Sequence, residues 1–271
     1  MGGKNRRAPA ERSCEDRDIH QKRRQQRHFP LRQRDRIRVM KVLAVDSSTA
    51  LLQIGLSSEG HYYELDQNIG LHHTEHLIPL IADLLEKAEL QASDLDILVI
   101  SKGPGSFTGL RIGFSALKGL AFGAGAPLVS VPTLDLLAYG KDHFPGSVVP
   151  LIDARKQRIY SAFFQMGERK SDYLDVTPAS LLGLLNSNDF TPPYLFTGPD
   201  CMRLLPVLKE LDGSNRFLDR HCSIDPLYAS PSAWQLIQMG RERFERRGGD
   251  QDNSGPLYIR PSEAELSRGL G

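Results

Sequence analysis

The stretch from Lys102 to Gly113, KGPGSFTGLRIG, constrains this chain more than any other. An apolar run, Ile97 to Ile100, leads into it, and an apolar segment rich in small residues, Leu110 to Ala126, leads out. The pattern predicts a buried strand, a glycine-rich turn and a helix, a geometry that points backbone N–H groups at an anion. Gly103, Gly105 and Gly109 can take backbone angles that a Cβ obstructs, and Pro104 stiffens the turn. By itself this is a weak signal, because most glycine-rich turns bind nothing.

A second signal of the same kind lies upstream. KVLAVDSSTALLQIGL (Lys41–Leu56) reads as strand, polar turn, strand, with Asp46, Ser47, Ser48 and Thr49 making the turn. An Asp ending a first strand, followed by hydroxyl residues and a return strand, resembles the first phosphate loop of the actin-like, sugar-kinase and Hsp70 ATPases. Together with KGPGSFTGLRIG and DARKQRIYSAFF (Asp153–Phe164), the resemblance narrows to the TsaB (YeaZ) family. It runs from Met40 to about Pro261, where LYIRP (Leu257–Pro261) is similar to that family's ending. The implied fold is α/β: two ribonuclease-H-like lobes, duplicated as in the actin-like ATPases.

At 271 residues the chain is long enough for one large or two modest domains with real cores. The cysteines Cys14, Cys201 and Cys222 are odd in number and lack CxxC spacing. That argues against a disulfide framework or a thiolate zinc site and suits a reducing, cytoplasmic setting. No apolar run approaches the roughly 18 residues of a membrane span, and no signal-peptide pattern follows the basic start.

The net charge of +1 conceals an asymmetry: residues 1–39 carry 13 Lys and Arg against 5 Asp and Glu, leaving the remainder at −7. Without apolar periodicity, 1–39 reads as a basic disordered arm. It could bind RNA electrostatically. As a targeting peptide it fits poorly, given Glu11, Glu15, Asp16 and Asp18. The favoured reading is that translation starts at Met40 and the arm is dispensable.

The expected body divides into an N-terminal lobe, 40–144, and a C-terminal lobe, 145–271. In the first, His61–Asp66 adds a strand and His73–Leu90 a helix capped by Thr74, with Leu77, Ile81, Leu84 and Ala88 on one face. Ile78, Leu80 and Leu85 widen its apolar surface beyond one stripe. Strand Pro127–Val131 precedes a helix capped by Thr133. The second lobe opens with a hairpin, Ser147–Ala154 and Arg158–Phe164, that echoes the first. Strand Tyr194–Gly198, a helix near Cys201–Leu211 and a helix at Ser230–Phe244 complete it.

His72, His73, Glu75 and His76 suggest a metal site, since His72 and His76 are spaced i, i+4. The TsaD relatives carry an HxxxH pair after the glycine loop and next strand, where this chain has SVPTLDLL (Ser130–Leu137) and no histidine. The resemblance therefore implies that the metal-dependent active site is missing. Kinases of the superfamily also place a glycine in this first turn and usually a basic residue shortly after, and Ser47 to Leu52 offers neither. FTGPD (Phe196–Asp200) holds a lone Gly-Pro turn rather than the glycine pair of an adenosine loop. The phosphate-loop-like residues Asp46, Ser47, Ser48, Thr49, Gly103, Gly105, Ser106 and Gly109 thus read as a vestigial pocket, or one that a partner completes. ATP or ADP would then sit at a partner interface, with no cofactor belonging to the chain itself. Ser106 or Ser48 as a nucleophile lacks a GxSxG-like context.

The resemblance implies no catalytic residue and no metal. It implies a dimerisation and activation subunit of the complex that places threonylcarbamoyl on N6 of adenosine 37 in tRNA. Implied partners are a TsaD-type catalytic subunit, a TsaE-type ATPase and a second copy of the chain when free, with tRNA met only through the complex. The alternative is an autonomous metal- or ATP-dependent transferase or kinase. Leu77, Leu80, Ile81 and Leu84, with Arg111, Gly113, Ala116 and Leu117, are expected to form the interface on two adjacent helices.

Overall fold

The computed structural model describes residues 40–70, 72–226 and 231–260. Expectations placed on residues 1–39, Ser230 and Pro261 lie outside the described residues.

The first half contains β1 (Val42–Asp46), β2 (Leu51–Ser58), β3 (His61–Asn68), α1 (His73–Lys87), β4 (Ile97–Ser101), α2 (Phe107–Ala124), β5 (Leu128–Val131) and α3 (Thr133–Ala138). The second contains β6 (Ser147–Asp153), β7 (Ile159–Ser161), β8 (Phe164–Gln165), β9 (Glu168–Arg169) and β10 (Leu174–Val176). It continues with α4 (Pro178–Leu185), β11 (Tyr194–Thr197), α5 (Cys201–Asp212), α6 (Phe217–His221), β12 (Cys222–Ile224) and α7 (Ala233–Arg247).

The first sheet has the order β3-β2-β1-β4-β5, and the second repeats it as β10-β7-β6-β11-β12, with the β8–β9 hairpin hung on β6. Polarity repeats too. β1 runs antiparallel to β2 and parallel to β4; β6 runs antiparallel to β7 and parallel to β11. Asp46 and Asp153 each end the central strand of their sheet. Gly103 and Gly198 each follow its parallel neighbour, with φ of +98° and +106°. The duplicated ribonuclease-H-like fold is therefore explicit in the topology.

The run VLAVD is buried throughout because β1 is covered on both faces. Leu43 and Val45 face a core shared with α1 and α2, while Val42 and Ala44 face the opposite side. β4 divides in the same way, with Leu98 and Ile100 on the α1–α2 side and Ile97 and Val99 on the other.

The helix on that other side is α7, which corrects its expected place in the second lobe. Its fully buried Leu236 and Ile237 pack with Val42, Ala44, Ile97 and Val99. Gly240 lies so close to β4 that an added Cβ would sit 2.3 Å from Val99 Cγ2. A capping box between Ser232 and Gln235 starts the helix, and the Glu64 carboxylate of β3 accepts from Ala233 N–H at 2.8 Å. In the reverse direction, Leu134, Leu137 and Ala138 of α3 pack with Val148 and Ile152 of β6. The stripe on α7 shows that one face is buried, but nothing in its period says against which sheet.

Two expected caps also differ. Thr74 does not cap α1, whose N-cap residue is His72 with no side-chain bond. Thr133 is the first residue of α3, and its hydroxyl accepts from Gly103 N–H at 3.1 Å while its own N–H donates to Gly103 O at 2.8 Å. The helix predicted to reach Leu90 ends at Lys87.

Candidate functional site

The two phosphate-loop-like turns meet, and they close on each other. Asp46 Oδ1 accepts from Ser48 N–H at 2.8 Å and from the Ser101 hydroxyl at 2.5 Å, and the residue is only 3% exposed. Ser48 O accepts from Ser106 N–H at 2.7 Å, and the Ser106 hydroxyl caps α2 by accepting from Gly109 N–H at 3.2 Å. The glycines are what permit this approach. A Cβ at Gly105 would lie 2.4 Å from Ser48 O, one at Gly109 2.2 Å from Ser47 O, and one at Gly113 2.2 Å from Ser47 Oγ. Thr49 is used locally: its hydroxyl donates to Leu51 O at 3.1 Å.

In a phosphate loop the space above such glycines belongs to the anion. Here the Ser47 and Ser48 main chain fills it. One oxygen of the only acidic residue in the turn already holds two donors. The residues present therefore do not fit a nucleotide phosphate between the two turns. The Ser47 and Ser48 hydroxyls are buried with no partner among the described residues, a cost the tight turn bears.

The equivalent turn of the second lobe is exposed and ionic. Asp153 accepts from Arg155 N–H at 2.8 Å and pairs with Arg203 at 2.5 Å, while the Asp200 carboxylate accepts from Asp153 N–H at 2.8 Å. Arg155, Lys156 and Gln157 all have left-handed backbone angles, with φ of 61°, 51° and 58°.

The three histidines separate. His73 is buried, and its Nε2 lies 2.9 Å from Thr49 O, tying α1 to the β1–β2 turn. Burial lowers its pKa, opposed by that bond and by Asp46. His72 is exposed and lies 3.4 Å from Glu75. Among the described residues no group of three or more His, Cys, Asp or Glu side chains could hold a metal ion.

The expected interface divides between core and surface. Leu77, Ile81, Leu84, Gly113 and Leu117 are buried inside the first lobe, and of these only Leu77 also lines the groove between the helices. The reason is that α1 and α2 lie side by side on one face of the sheet, and each turns its main stripe inward. Leu80 and Ala116 are half-buried, and Arg111 is exposed. Ile78, one of the residues expected to widen the apolar surface of α1, is 50% exposed, whereas Phe107 and Phe122, the latter 92% exposed, were missed by the sequence reading. Between the helices runs a groove of about 360 Å³, floored by Leu77 and walled by Ile78, Arg111, Ile112 and Ala116. Arg111 is held at its rim: the guanidinium sits 3.9 Å above the Phe107 ring, and Nε donates to the Tyr258 hydroxyl at 3.0 Å. Gly119 and Gly123 of α2 face open space. The signal for Ile78 was its place off the Leu77–Ile81–Leu84 stripe.

Fold and site together define a two-lobed α/β protein of the actin-like class, with the two glycine- and serine-bearing turns of its first lobe packed on each other and an apolar helix pair uncovered. The profile of the family described as "TsaD: tRNA N6-adenosine threonylcarbamoyltransferase" matches residues 68–188. The tRNA threonylcarbamoyladenosine biosynthesis protein TsaB of Bacillus subtilis is 30% identical over 231 residues, which is 83% of this chain and 96% of that protein. Its Escherichia coli namesake is 34% identical over 131 residues, 48% of this chain and 57% of that protein. The solved structure of YeaZ from Pseudomonas aeruginosa superposes with a TM-score of 0.64 at 25% identity, covering 81% of this chain and 100% of that one. The chain belongs to the TsaB family.

Proposed function

We propose that this chain is the non-catalytic, activating subunit of the machinery that makes threonylcarbamoyladenosine in tRNA, working in the cytoplasm. The observation that carries the reading is the pairing of turns filled by the Ser47 and Ser48 main chain with the open groove between α1 and α2. A chain whose phosphate turns are occupied by itself is poorly suited to turn over ATP. An exposed apolar groove with an arginine at its rim is suited to protein contact. The occupant in this reading is a TsaD-type catalytic subunit, or a second copy of this chain when that subunit is absent. Because both occupants use one face, the homodimer competes with the productive pair. A TsaE-type ATPase joins the assembled pair, and any ATP or ADP is held with a partner's residues. Apart from residues 1–39 the chain carries a net −7, so tRNA is met chiefly through the catalytic subunit.

The alternative, an autonomous metal- or ATP-dependent transferase or kinase, requires turnover by the purified chain. The test is to purify the chain alone and with a TsaD-type subunit. The reading expects co-purification that Ala116→Asp abolishes, and no ATP or threonylcarbamoyl-AMP turnover by the chain alone. Steady turnover without a partner overturns it.

A further inference from the structure

The last described segment lies across both lobes. After α7 it follows the free edge of β5, where Asp250 N–H donates to Leu128 O at 2.7 Å and the Asp250 carboxylate accepts from Ser130 N–H at 2.9 Å. Lys118 of α2 donates to Asp252 O at 2.8 Å. The segment then crosses the glycine turn, where Leu257 N–H donates to Lys102 O at 2.6 Å. Gly103 allows that crossing: at φ +98° an added Cβ would lie 3.0 Å from Leu257 O and 2.8 Å from Leu110 Cδ1.

Beyond the crossing, neighbouring side chains join different clusters. The Tyr258 ring lies 5.0 Å from Phe107, and its hydroxyl accepts from Arg111 Nε at 3.0 Å, both on α2. Ile259 packs against the cluster built from α3 and the second sheet, which includes Val148, Ile152 and Phe164. Adjacent residues whose side chains reach different clusters let one short stretch hold two bodies at once.

We infer that Leu257–Ile259 is a clamp between the lobes, and that Tyr258 is a positioning residue for Arg111 at the groove; the second half rests on the partner reading given above. An exposed arginine has many rotamers and no fixed direction. Stacked on Phe107 and bonded to a phenol, it is pre-organised, so less freedom is lost when a partner binds. Among the described residues no carboxylate pairs with Arg111. The remaining guanidinium N–H groups suit an acidic side chain presented by the partner beside the groove. Rotation of the second lobe carries Ile259 with it and draws Tyr258 away from Arg111. Lobe geometry and partner affinity are thereby coupled.

The test uses the full chain with spin labels on ketone-bearing residues at exposed Ser93 and Asn188, one in each lobe, and a TsaD-type subunit as the titrant. Ile259→Ala broadens the interlobe distance distribution in pulsed electron resonance; a distribution identical to wild type overturns the clamp. Tyr258→Phe keeps the ring and loses the hydroxyl, so calorimetry shows affinity falling about threefold, while Tyr258→Ala, which loses the stack as well, falls about tenfold. Wild-type affinity for a folded Tyr258→Phe and Tyr258→Ala overturns the positioning role. Ala116→Asp separates the two readings. If it too leaves affinity unchanged, the partner face is misplaced and the positioning role falls with it, while the distance measurement still decides the clamp.

Discussion

Two glycines of one helix should respond to alanine in opposite directions. At Gly109 the new methyl group would lie 2.2 Å from Ser47 O, and that oxygen belongs to a main chain pinned by Ser48 on both sides. Relief requires a shift of more than 1 Å, roughly the difference from ordinary van der Waals contact. Overpacking of this kind costs about 1–3 kcal/mol, and weakening the Ser106–Ser48 bond adds about 1 kcal/mol. Gain in helix propensity offsets at most about 1 kcal/mol. Gly109→Ala is therefore expected to destabilise by about 1–3 kcal/mol. Gly119 has nothing within 4 Å of its added Cβ, so Gly119→Ala keeps the propensity gain of about 0.5–1 kcal/mol. At roughly 2–4 °C per kcal/mol for chains of this size, circular dichroism melts should move in opposite directions and differ by at least about 3 °C. A Gly109→Ala protein as stable as wild type would mean that the turn does not press on α2. The space would then be open to a phosphate, and the argument against nucleotide binding would fail.

The remaining predictions concern the same turn. Asp46→Ala leaves Ser48 N–H and the Ser101 hydroxyl without their acceptor and should cost about 2–4 kcal/mol in urea unfolding, whereas Asp46→Asn, which keeps a carbonyl acceptor, should cost about half as much; equal, negligible losses would show that the carboxylate is not structural. Magnesium ATP should leave the wild-type melting temperature unchanged, because only a ligand bound to the folded state raises it; a saturable rise would show a competent site. His73 is held neutral by burial, so the unfolded state binds a proton before the folded state does. Its stabilising contribution is complete above the ordinary pKa near 6.5 and declines as pH falls from there through the lowered folded value; a His73→Gln melt series that declines as steeply as wild type over that interval would assign the slope elsewhere.

Much of the first lobe was legible because its signals are local. The runs Val42–Val45 and Ile97–Ile100, the hydroxyl-rich turn after Asp46 and the glycine turn after Ser101 each name a strand end or a helix start within a few residues. The second lobe was read less completely. The short β8–β9 hairpin, β10, β12, α4 and α6 are too short to establish a period. The larger departures involve contacts between distant segments. Gly105 and Gly109 read as anion-facing because nothing near them announces that Ser47 and Ser48, some 60 residues upstream, occupy the space. Leu77, Ile81 and Leu84 form the most conspicuous apolar stripe of α1, and for that reason they belong to the core. The open face is made by the less regular Ile78, Leu80 and Ala116. The helix α7 crosses to the first sheet through Gly240 and Gly55, whose role as close-approach points appears only once both elements are in place.

The central claim, that this chain supports tRNA threonylcarbamoylation through its α1–α2 face without a catalytic site of its own, is tested most directly by mass spectrometry of tRNA nucleosides. Cells depleted of the chain are supplied with wild type, with Ala116→Asp, or with Asp46→Asn. The account predicts that depletion removes threonylcarbamoyladenosine, that wild type and folded Asp46→Asn restore it, and that folded Ala116→Asp does not. Full restoration by Ala116→Asp, or failure of a stably folded Asp46→Asn, would contradict it.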